Sequence, residues 1–283
     1  MKSSNMDKKM QLSDSELEKL AIFLQKRVGI VLEKQKLQRF SRKIEDVINK
    51  YKFEDFGSFY HTVRFHQNEA ITQDLINAVT VNETYFWREH EQFEILSKEI
   101  LPLFVKEGAM PTVRILVSPC SSGEEVYSIM LAILDAGDLI EKINIEIVGI
   151  DIDSNMIAKA KQGVYSKRSV EKLPRYMRER YFTQIGNSYK IDDSLRKAAT
   201  FLQANIFDSS ISEKLGHFDI LFSRNMLIYF NIFDKRRAFE TFYELLKPNA
   251  YLFLGHADAS QIDKRVFHPL KATSHIYQKG IKL

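Results

Sequence analysis

Hydrophobic residues recur every three or four positions through the first third of the chain. Leu17, Leu20, Ala21 and Leu24 follow a capping-box pattern at residues 13–16, which marks the start of an amphipathic helix. Three further stretches of this kind have apolar positions at Leu37, Phe40, Ile44, Val47 and Ile48, at Phe56, Phe59, Tyr60 and Val63, and at Ile71, Leu75, Ile76 and Val79. The pattern predicts an all-helical domain over residues 12–80, preceded by a disordered polar tail over residues 1–11.

After residue 112 the pattern changes to short β-branched runs separated by helical stretches. The runs cover residues 113–117, 145–150, 200–203, 218–222 and 251–254. This alternation predicts an α/β fold with a mostly parallel, doubly wound sheet. We assign the sheet to a domain over residues 99–283, joined to the helical domain by a connecting segment over residues 81–98. Ligands of such sheets bind beyond the carboxyl ends of the strands, so the residues there are the candidates for chemistry.

Residues 163–199 interrupt the alternation with tyrosine-rich and polar sequence. Residues 181–183 and 189–191 flank a turn at Gly186-Asn187-Ser188, which predicts a short hairpin. We interpret this interval as a small β-subdomain inserted between the second and third strands of the sheet.

Composition and charge restrict the class of protein. The 283 residues carry a net charge of only +4, which is too weak to imply nucleic-acid binding. The single cysteine, Cys120, excludes an internal disulfide framework and fits a reducing compartment. No run of 18 apolar residues and no apolar signal core is present. We therefore expect a cytoplasmic protein without membrane insertion. The seven histidines form no metal-binding pattern, and we expect no metal.

The first strand leads into a loop and helix that place two acids, Glu124 and Glu125, where nucleotide-binding folds put a glycine-rich loop. Residues 118–123 are small, so a ligand can approach the backbone, but they form no phosphate cradle. Two interpretations stay open for the acids. They face a positively charged ligand, or they stabilise the positive end of the helix dipole.

Polar residues also follow the other strands. Asp151 and Asp153 end the second strand, and such acids commonly bind a ribose diol or cap the next helix. We assign the ribose to Asp151 and the cap to Asp153. The third strand ends in Asn205-Ile206 and the fourth in Asn225-Met226. Each asparagine is a candidate ligand contact or a turn residue.

The stretch NETYFWRE at residues 82–89 precedes the sheet. Tyr85, Phe86 and Trp87 are expected to pack between the domains, whereas Arg88 needs an anionic partner, either a ligand carboxylate or a protein acid. An adenosine for Asp151, a carboxylate for Arg88 and a positive charge for the acids together indicate S-adenosylmethionine. NAD fits less well, because its pyrophosphate would meet carboxylates.

The chain resembles the CheR family, the glutamate methyltransferases of bacterial chemoreceptors, from about residue 12 to residue 277. Five stretches carry the resemblance: NETYFWRE, CSSGEEVYSIML, GIDIDSNMIAKAKQGVYS, FDILFSRNMLIYFN and LKPNAYLFLGHADAS. The family implies a helical N-terminal domain, a Rossmann-like methyltransferase domain that uses S-adenosylmethionine and releases S-adenosylhomocysteine, and an inserted β-subdomain.

The resemblance also implies roles for individual residues. Arg88 and Tyr229 are the candidate catalytic residues, beside the transferred methyl group. The candidate cofactor-binding residues are Asn82, Thr84, Arg88, Glu125, Asp151, Asn205, Ile206, Asn225 and Met226. Glu125 is preferred to Glu124, which we expect to act as a helix cap.

The chain departs from the family pattern in several places. Val126 replaces a proline and Trp87 a phenylalanine, which should not affect the chemistry, whereas GHADAS replaces GHSE and leaves the polar support of His256 open. The hairpin turn IGNSYK is short and lacks the glycine-rich tip of members that bind a receptor pentapeptide. This difference argues against pentapeptide tethering.

The resemblance implies that the chain methylates glutamates on the helical bundle of chemoreceptors and so sets chemotaxis adaptation. Arg39, Arg42 and Lys43 form either a basic docking face for that acidic bundle or an ordinary solvated helix face. Two other functions remain open: methylation of a small molecule or nucleic acid, and cofactor sensing without catalysis.

Overall fold

The computed structural model describes residues 10–65, 68–271 and 275–280, and these fall into two compact units that divide between Val81 and Asn82. The expected disordered tail falls largely on residues 1–9, which lie outside the described residues. At its end, the Met10 N–H donates to Asn49 Oδ1 over 3.0 Å.

The first unit is helical, as the periodicity predicted. Its described residues form α1 (Asp14–Val28), α2 (Lys34–Lys50), α3 (Phe56–Phe65) and α4 (Glu69–Val79). The capping box at the start of α1 is present, because the Ser13 hydroxyl accepts from the Glu16 N–H and the Ser13 N–H donates to the Glu16 carboxylate. One apolar stripe of each helix is buried, which gives this unit its own core.

The second unit is built on a twisted sheet. Its described strands are β1 (Thr112–Val117), β2 (Asn144–Asp151), β6 (Ala199–Gln203), β7 (Phe218–Ser223), β8 (Leu246–Leu254), β9 (Phe267–Pro269) and β10 (Ile276–Lys279). They lie in the order β6-β2-β1-β7-β8-β10-β9. The first five are parallel, and β10 pairs antiparallel with both β8 and β9. The doubly wound sheet is therefore confirmed, with two further strands, β9 and β10, that the hydrophobic pattern did not predict.

Helices connect the strands. Outside the insertion, the described α-helices of the second unit are α5 (Glu91–Ile95), which continues through a π turn and a 3-10 turn to Phe104, α6 (Glu124–Asp135), α7 (Ser154–Gln162), α10 (Ile211–Leu215) and α11 (Ile232–Leu245). The chain runs outward from β1 through β2 to β6 and then returns to β7 on the other side of β1. The strand order thus reverses between β1 and β7, and in open α/β sheets this point creates a ligand crevice.

The interval after α7 forms a separate small sheet, as expected for an insertion. It contains β3 (Val164–Ser166), α8 (Arg175–Tyr181), the hairpin strands β4 (Phe182–Ile185) and β5 (Ser188–Ile191), and α9 (Asp193–Ala198). The described strands pair antiparallel in the order β3-β5-β4, and Gly186-Asn187 alone form the turn. The hairpin was predicted, whereas β3 is too short to show a period.

None of the helices formed by the described residues is long and apolar enough to cross a membrane. The same residues contain no group of three or more His, Cys, Asp and Glu side chains that could hold a metal ion.

Candidate active site

The loop after β1 places two acids at the start of α6: Glu124 is buried and Glu125 is partly buried. Gly123 adopts φ 95°, and a Cβ there would lie 3.1 Å from atoms of Ala160, Tyr127 and Tyr165, so this position requires glycine. The loop therefore packs tightly against its neighbours, and the two acids that follow it point to different partners.

Glu124 faces the insertion. Its carboxylate accepts from the Ser122 hydroxyl over 2.7 Å and from the Ser169 hydroxyl over 2.9 Å, and burial raises its pKa. We expected a helix cap from Glu124. Instead it links the loop after β1 to the inserted subdomain.

Glu125 faces the reversal point of the sheet. Its Oε2 accepts from Nε of Arg224, at the end of β7, over 2.8 Å; the Arg224 side chain is buried and the Glu125 side chain is partly buried. Burial raises the pKa of Glu125, while the positive charge of Arg224 acts in the opposite direction. The other carboxylate oxygen of Glu125 has no hydrogen-bond partner among the described residues.

The stretch at residues 82–89 forms an extended segment and a turn that displays Arg88. Phe86 is fully buried, with its ring edge-on to Tyr165 at 4.7 Å and Phe182 at 5.2 Å, both in the inserted subdomain. Trp87 contacts Phe93 of α5 at 5.6 Å. These contacts of Phe86 and Trp87 lie within the second unit, where we had expected packing between domains.

Arg88 has no carboxylate partner within 4 Å among the described residues. Its guanidinium donates to the Glu83 carbonyl oxygen over 3.3 Å and lies 5.5 Å from the Tyr85 ring centre. The positive charge of Arg88 acts to lower the pKa of both Glu125 and Tyr229, so the three side chains are close enough to interact electrostatically. The salt bridge that we considered for Arg88 is thus not found in the described part of the chain.

The segment after β7 carries Asn225, Met226 and Tyr229. Asn225 has φ 60°, and its N–H donates to Asp258, whose other oxygen accepts from the Ile228 N–H over 3.2 Å. Met226 and Tyr229 are partly buried, and burial raises the pKa of the tyrosine hydroxyl, so it is protonated at neutral pH. Asp258, from the GHADAS stretch, is fully buried and therefore supports this segment rather than His256.

Asp151 lies at the carboxyl end of β2. Its oxygens accept from the N–H groups of Ser121 and Asp153, each over 2.8 Å, and burial raises its pKa to about 6. Asp153 caps α7 through the N–H groups of Asn155 and Met156, as predicted. Its second oxygen accepts from Nδ2 of Asn82 over 2.7 Å, which brings Asn82 to the end of β2.

The third strand of the predicted set, β6, ends beside β2. The Ala204 N–H donates to the Asp151 carbonyl oxygen over 3.0 Å, and the Asn205 side chain accepts from the Phe207 N–H over 3.0 Å in a turn. Ile206 is buried. Thr84 lies farther along the same edge, where it lines a cleft of about 780 Å³ with Asn82, Ser122 and other residues.

Several buried oxygens at this edge of the sheet lack a hydrogen bond. Among the described residues, four buried side-chain oxygens accept or donate no hydrogen bond: Ser121 Oγ, Ser223 Oγ, Glu125 Oε1 and Glu89 Oε2. A buried oxygen without a hydrogen bond destabilises the folded protein unless a ligand or a water molecule donates a hydrogen bond to it. All four can accept hydrogen bonds from the ammonium and hydroxyl groups of an adenosyl amino acid. Two of them belong to carboxylates, which would repel the pyrophosphate of NAD. The residues present therefore fit S-adenosylmethionine.

Comparison with known proteins identifies the family. The model described as "CheR methyltransferase, SAM binding domain" matches residues 82–276, and "CheR methyltransferase, all-alpha domain" matches residues 15–80. The chain belongs to the CheR methyltransferase family. Chemotaxis protein methyltransferase 2 of Vibrio cholerae is 36% identical over 258 residues, which cover 91% of this chain and 90% of that protein. A chemotaxis protein methyltransferase of Campylobacter jejuni is 34% identical, over 93% of this chain and 97% of that protein.

One of the solved structures that the chain matches is a putative class I S-adenosylmethionine-dependent methyltransferase from Listeria monocytogenes. It is 15% identical to this CheR chain, with a TM-score of 0.41, and the match covers 95% of this chain and 87% of that one.

Three residues of this CheR site were missed by the sequence analysis as functional candidates: Arg224, Asp258 and Ser169. A signal existed for Arg224, because a cation that directly follows the buried run of β7 requires an anion nearby. Asp258 and Ser169 gave no such signal, since their partners are 33 and 45 residues away in the chain.

Proposed function

We propose that this CheR protein transfers the methyl group of S-adenosylmethionine to glutamate side chains of methyl-accepting chemoreceptors. The products are γ-glutamyl methyl esters and S-adenosylhomocysteine. The reaction takes place in the cytoplasm and sets chemotaxis adaptation. The names of the Vibrio and Campylobacter relatives support the pathway, and the family model supports the cofactor.

The chemistry demands little of the protein beyond positioning. S-adenosylmethionine supplies a methyl group that its positively charged sulfur makes electrophilic. A glutamate carboxylate has a pKa near 4.3, so at neutral pH it is already a nucleophile and needs no general base. The chain's own contribution is to align the carboxylate and to remove part of its water.

One observation carries the assignment of roles: the Arg88 cation lacks a protein carboxylate partner among the described residues and stands near Glu125 and Tyr229. In this proposal Arg88 holds a carboxylate, either that of the receptor glutamate or that of the cofactor. The protonated hydroxyl of Tyr229 orients the same group. Glu125 faces the positive end of the cofactor, and Asp151 accepts hydrogen bonds from its ribose.

The remaining proposed cofactor contacts come from both sides of the reversal point. They are Asn82, Thr84, Asn205, Ile206, Asn225 and Met226. Asn82 is supported by its bond to Asp153 at the end of β2, and Asn225 by its place directly after β7.

The test of this function is methyl transfer from labelled cofactor to a chemoreceptor cytoplasmic fragment, with release of the label by mild base as the mark of an ester. We expect Arg88→Ala to lose at least about tenfold in turnover while its circular dichroism stays native. Arg175→Ala, at an exposed arginine of the insertion, is the matched control and should turn over normally. Normal turnover by Arg88→Ala would remove Arg88 from the mechanism.

The same assay separates the alternatives. A methyltransferase of small molecules or nucleic acid would leave the receptor fragment unlabelled and label its own acceptor. A cofactor-sensing protein would bind S-adenosylhomocysteine in calorimetry and transfer no label to any acceptor.

The receptor bundle is rich in acidic residues, and we propose that α2 docks on it. Arg39, Arg42 and Lys43 are exposed, and none forms an ion pair within 4 Å among the described residues, whereas Lys34 and Lys50 of the same helix are paired with Asp14 and Asp74. Unpaired cations keep their full attraction for an acidic surface.

Charge reversal tests this docking face. We expect Arg39→Glu with Arg42→Glu to raise the KM for the receptor fragment by about tenfold at low salt, and less at high salt. Lys19→Glu with Lys26→Glu, on the exposed face of α1, makes the same change in net charge and should leave KM unchanged. Equal effects of the two pairs would contradict a specific face.

We also propose that the insertion does not hold a receptor pentapeptide, because its hairpin turns through only two residues, Gly186 and Asn187. Receptor fragments with and without a C-terminal pentapeptide should then have the same KM, and a lower KM for the longer fragment would contradict this.

A further inference from the structure

Arg224 is a buried cation of the site that bonds to several elements. Its side chain is 1% exposed at the carboxyl end of β7. Besides the bond from Nε to Glu125, one terminal nitrogen donates to the Arg88 carbonyl oxygen over 2.8 Å. The other donates to the Glu89 carbonyl oxygen and to the Gln92 side chain, both over 3.4 Å. The guanidinium thus joins β7, α6 and the turn that carries Arg88.

That turn has an unfavourable backbone. Trp87 has φ 65° and Glu89 has φ 50°, so left-handed residues lie on both sides of Arg88. Residues with a Cβ adopt this conformation only when the surroundings hold them there. Before Arg88, the Phe86 N–H donates to the Ser169 carbonyl oxygen and the Trp87 N–H to the Ser128 hydroxyl, each over 3.0 Å. After it, the carbonyl groups of Arg88 and Glu89 accept from Arg224.

Charge gives a second reason for this arginine. Glu125 and Glu89 both lie beside Arg224, and the negative charge of Glu89 acts to raise the pKa of Glu125. Arg224 lies within 3.9 Å of Glu89 and 2.8 Å of Glu125. A lysine could neutralise one acid, but its single ammonium group cannot also reach two carbonyl groups in a plane.

We propose that Arg224 is a positioning residue for methyl transfer: it fixes the left-handed turn that presents Arg88 and holds Glu125 at a set place relative to it. The inference rests on the roles proposed above for Arg88 and Glu125. Arg224 acts on turnover through Arg88 and on cofactor affinity through Glu125.

Arg114 provides a matched control for an arginine that only stabilises the fold. Its Nε bonds to Glu146 over 2.9 Å, and its terminal nitrogens donate to the carbonyl groups of His217 and Leu215 over 2.9 and 3.1 Å. Its guanidinium lies 4.6 Å from the Phe218 ring centre, as that of Arg224 lies 5.0 Å from Phe93. Arg114 makes these contacts on β1 near the opposite end of the sheet.

The tryptophan of the turn supplies a readout independent of activity, because Trp87 is the only tryptophan in the chain. In Arg224→Met we expect red-shifted emission and stronger acrylamide quenching at a temperature where circular dichroism is native. We also expect about tenfold or greater loss of turnover and weaker binding of S-adenosylhomocysteine. Arg114→Met should lower the Tm and leave the Trp87 emission, the affinity and the turnover unchanged.

Arg224→Lys keeps the charge beside Glu125 but not the bonds to the turn. We expect it to retain most of the affinity for S-adenosylhomocysteine, while its Trp87 emission and turnover follow those of Arg224→Met. If Arg224→Met does not fold, this variant makes the comparison. Native emission and turnover in Arg224→Lys would overturn the inference, and so would a folded, fully active Arg224→Met.

A double-mutant cycle tests the path through Arg88. At saturating cofactor, Arg88→Ala combined with Arg224→Met should turn over no more slowly than Arg88→Ala alone, within about threefold. Multiplied losses would overturn the inference and leave the proposed function intact. Full turnover of Arg88→Ala alone would instead overturn the role of Arg88, while the Trp87 emission still decides whether Arg224 fixes the turn.

Discussion

Lowering the pH from 8 to 5 should weaken the binding of S-adenosylhomocysteine, because it protonates Asp151. Burial raises the pKa of this carboxyl to about 6, although the N–H groups of Ser121 and Asp153 favour its ionised form. A ribose diol donates hydrogen bonds to an ionised carboxylate and binds a protonated one poorly. The affinity should therefore be lost as the pH falls through the pKa.

The size of the effect follows from the pKa. If only the ionised form binds, the apparent Kd is multiplied by 1 + 10^(6 − pH), which is about 1.0 at pH 8, about 1.1 at pH 7 and about 11 at pH 5. The loss is then confined to the acidic side of neutrality, whereas an ordinary aspartate would begin to titrate two pH units lower.

Isothermal titration calorimetry between pH 5 and pH 8 measures the Kd for S-adenosylhomocysteine. The amino and carboxyl groups of this ligand keep their charges in that range, so a change in Kd reports a titrating group of the protein. Asp151→Asn is the comparison. Its amide does not titrate, so its Kd should be constant with pH and about tenfold or more above that of the unmodified protein at pH 8, because a charge-assisted hydrogen bond is lost.

Other buried acids make the test discriminating. Burial also raises the pKa of Glu124 and Glu125, and that of Asp258 to about 6. An elevenfold loss that persists in Asp151→Asn would assign the proton to one of these acids and refute the reasoning. A Kd independent of pH in the unmodified protein would refute it equally.

Three further substitutions test the supports of the site. Gly163→Ala should lower the stability by about 1–3 kcal/mol in thermal unfolding, because Gly163 has φ 65° and a Cβ would lie 2.7 Å from Ile191 Cγ2; an unchanged Tm would contradict this. Asp258→Asn should slow methyl transfer several-fold, because its amide group cannot accept from both the Asn225 and Ile228 N–H groups; normal turnover would count against the support of Tyr229. Ser169→Ala should cost about 1 kcal/mol in denaturant unfolding by removing a donor to Glu124, and no loss would show that this bond is replaced by water.

The hydrophobic pattern predicted most of the fold because most elements are buried in a characteristic way. The four helices of the first unit repeat apolar residues with a helical period, and the parallel strands are short runs that are mostly apolar and buried. The strands that escaped prediction, β3, β9 and β10, have three or four residues, and β9 includes Pro269. Such short strands are set by pairing with a neighbour, which a single sequence does not display.

Some parts of the candidate site could likewise be predicted from the sequence and others could not. Asp151 and Glu125 follow strands, so topology alone placed them at one edge of the sheet, and the capping role of Asp153 followed from its position before α7. The bond between Glu125 and Arg224 joins residues 99 positions apart, and it depends on β1 and β7 being neighbours. The sequence shows each strand but not which pairs are adjacent, so the partner of Glu125 could not be read from it.

The two bonds of Ser169 have a consequence for engineering. This serine of the insertion accepts from the Phe86 N–H and donates to Glu124, so it ties the inserted subdomain both to the segment before Arg88 and to the loop after β1. The insertion therefore cannot be replaced by the corresponding subdomain of a relative without regard to these two bonds. A chimera that receives the subdomain of a relative must therefore keep a hydroxyl at this position and aromatic residues around Phe86. Without them, we expect the exchange to displace Glu124 and the segment that carries Arg88.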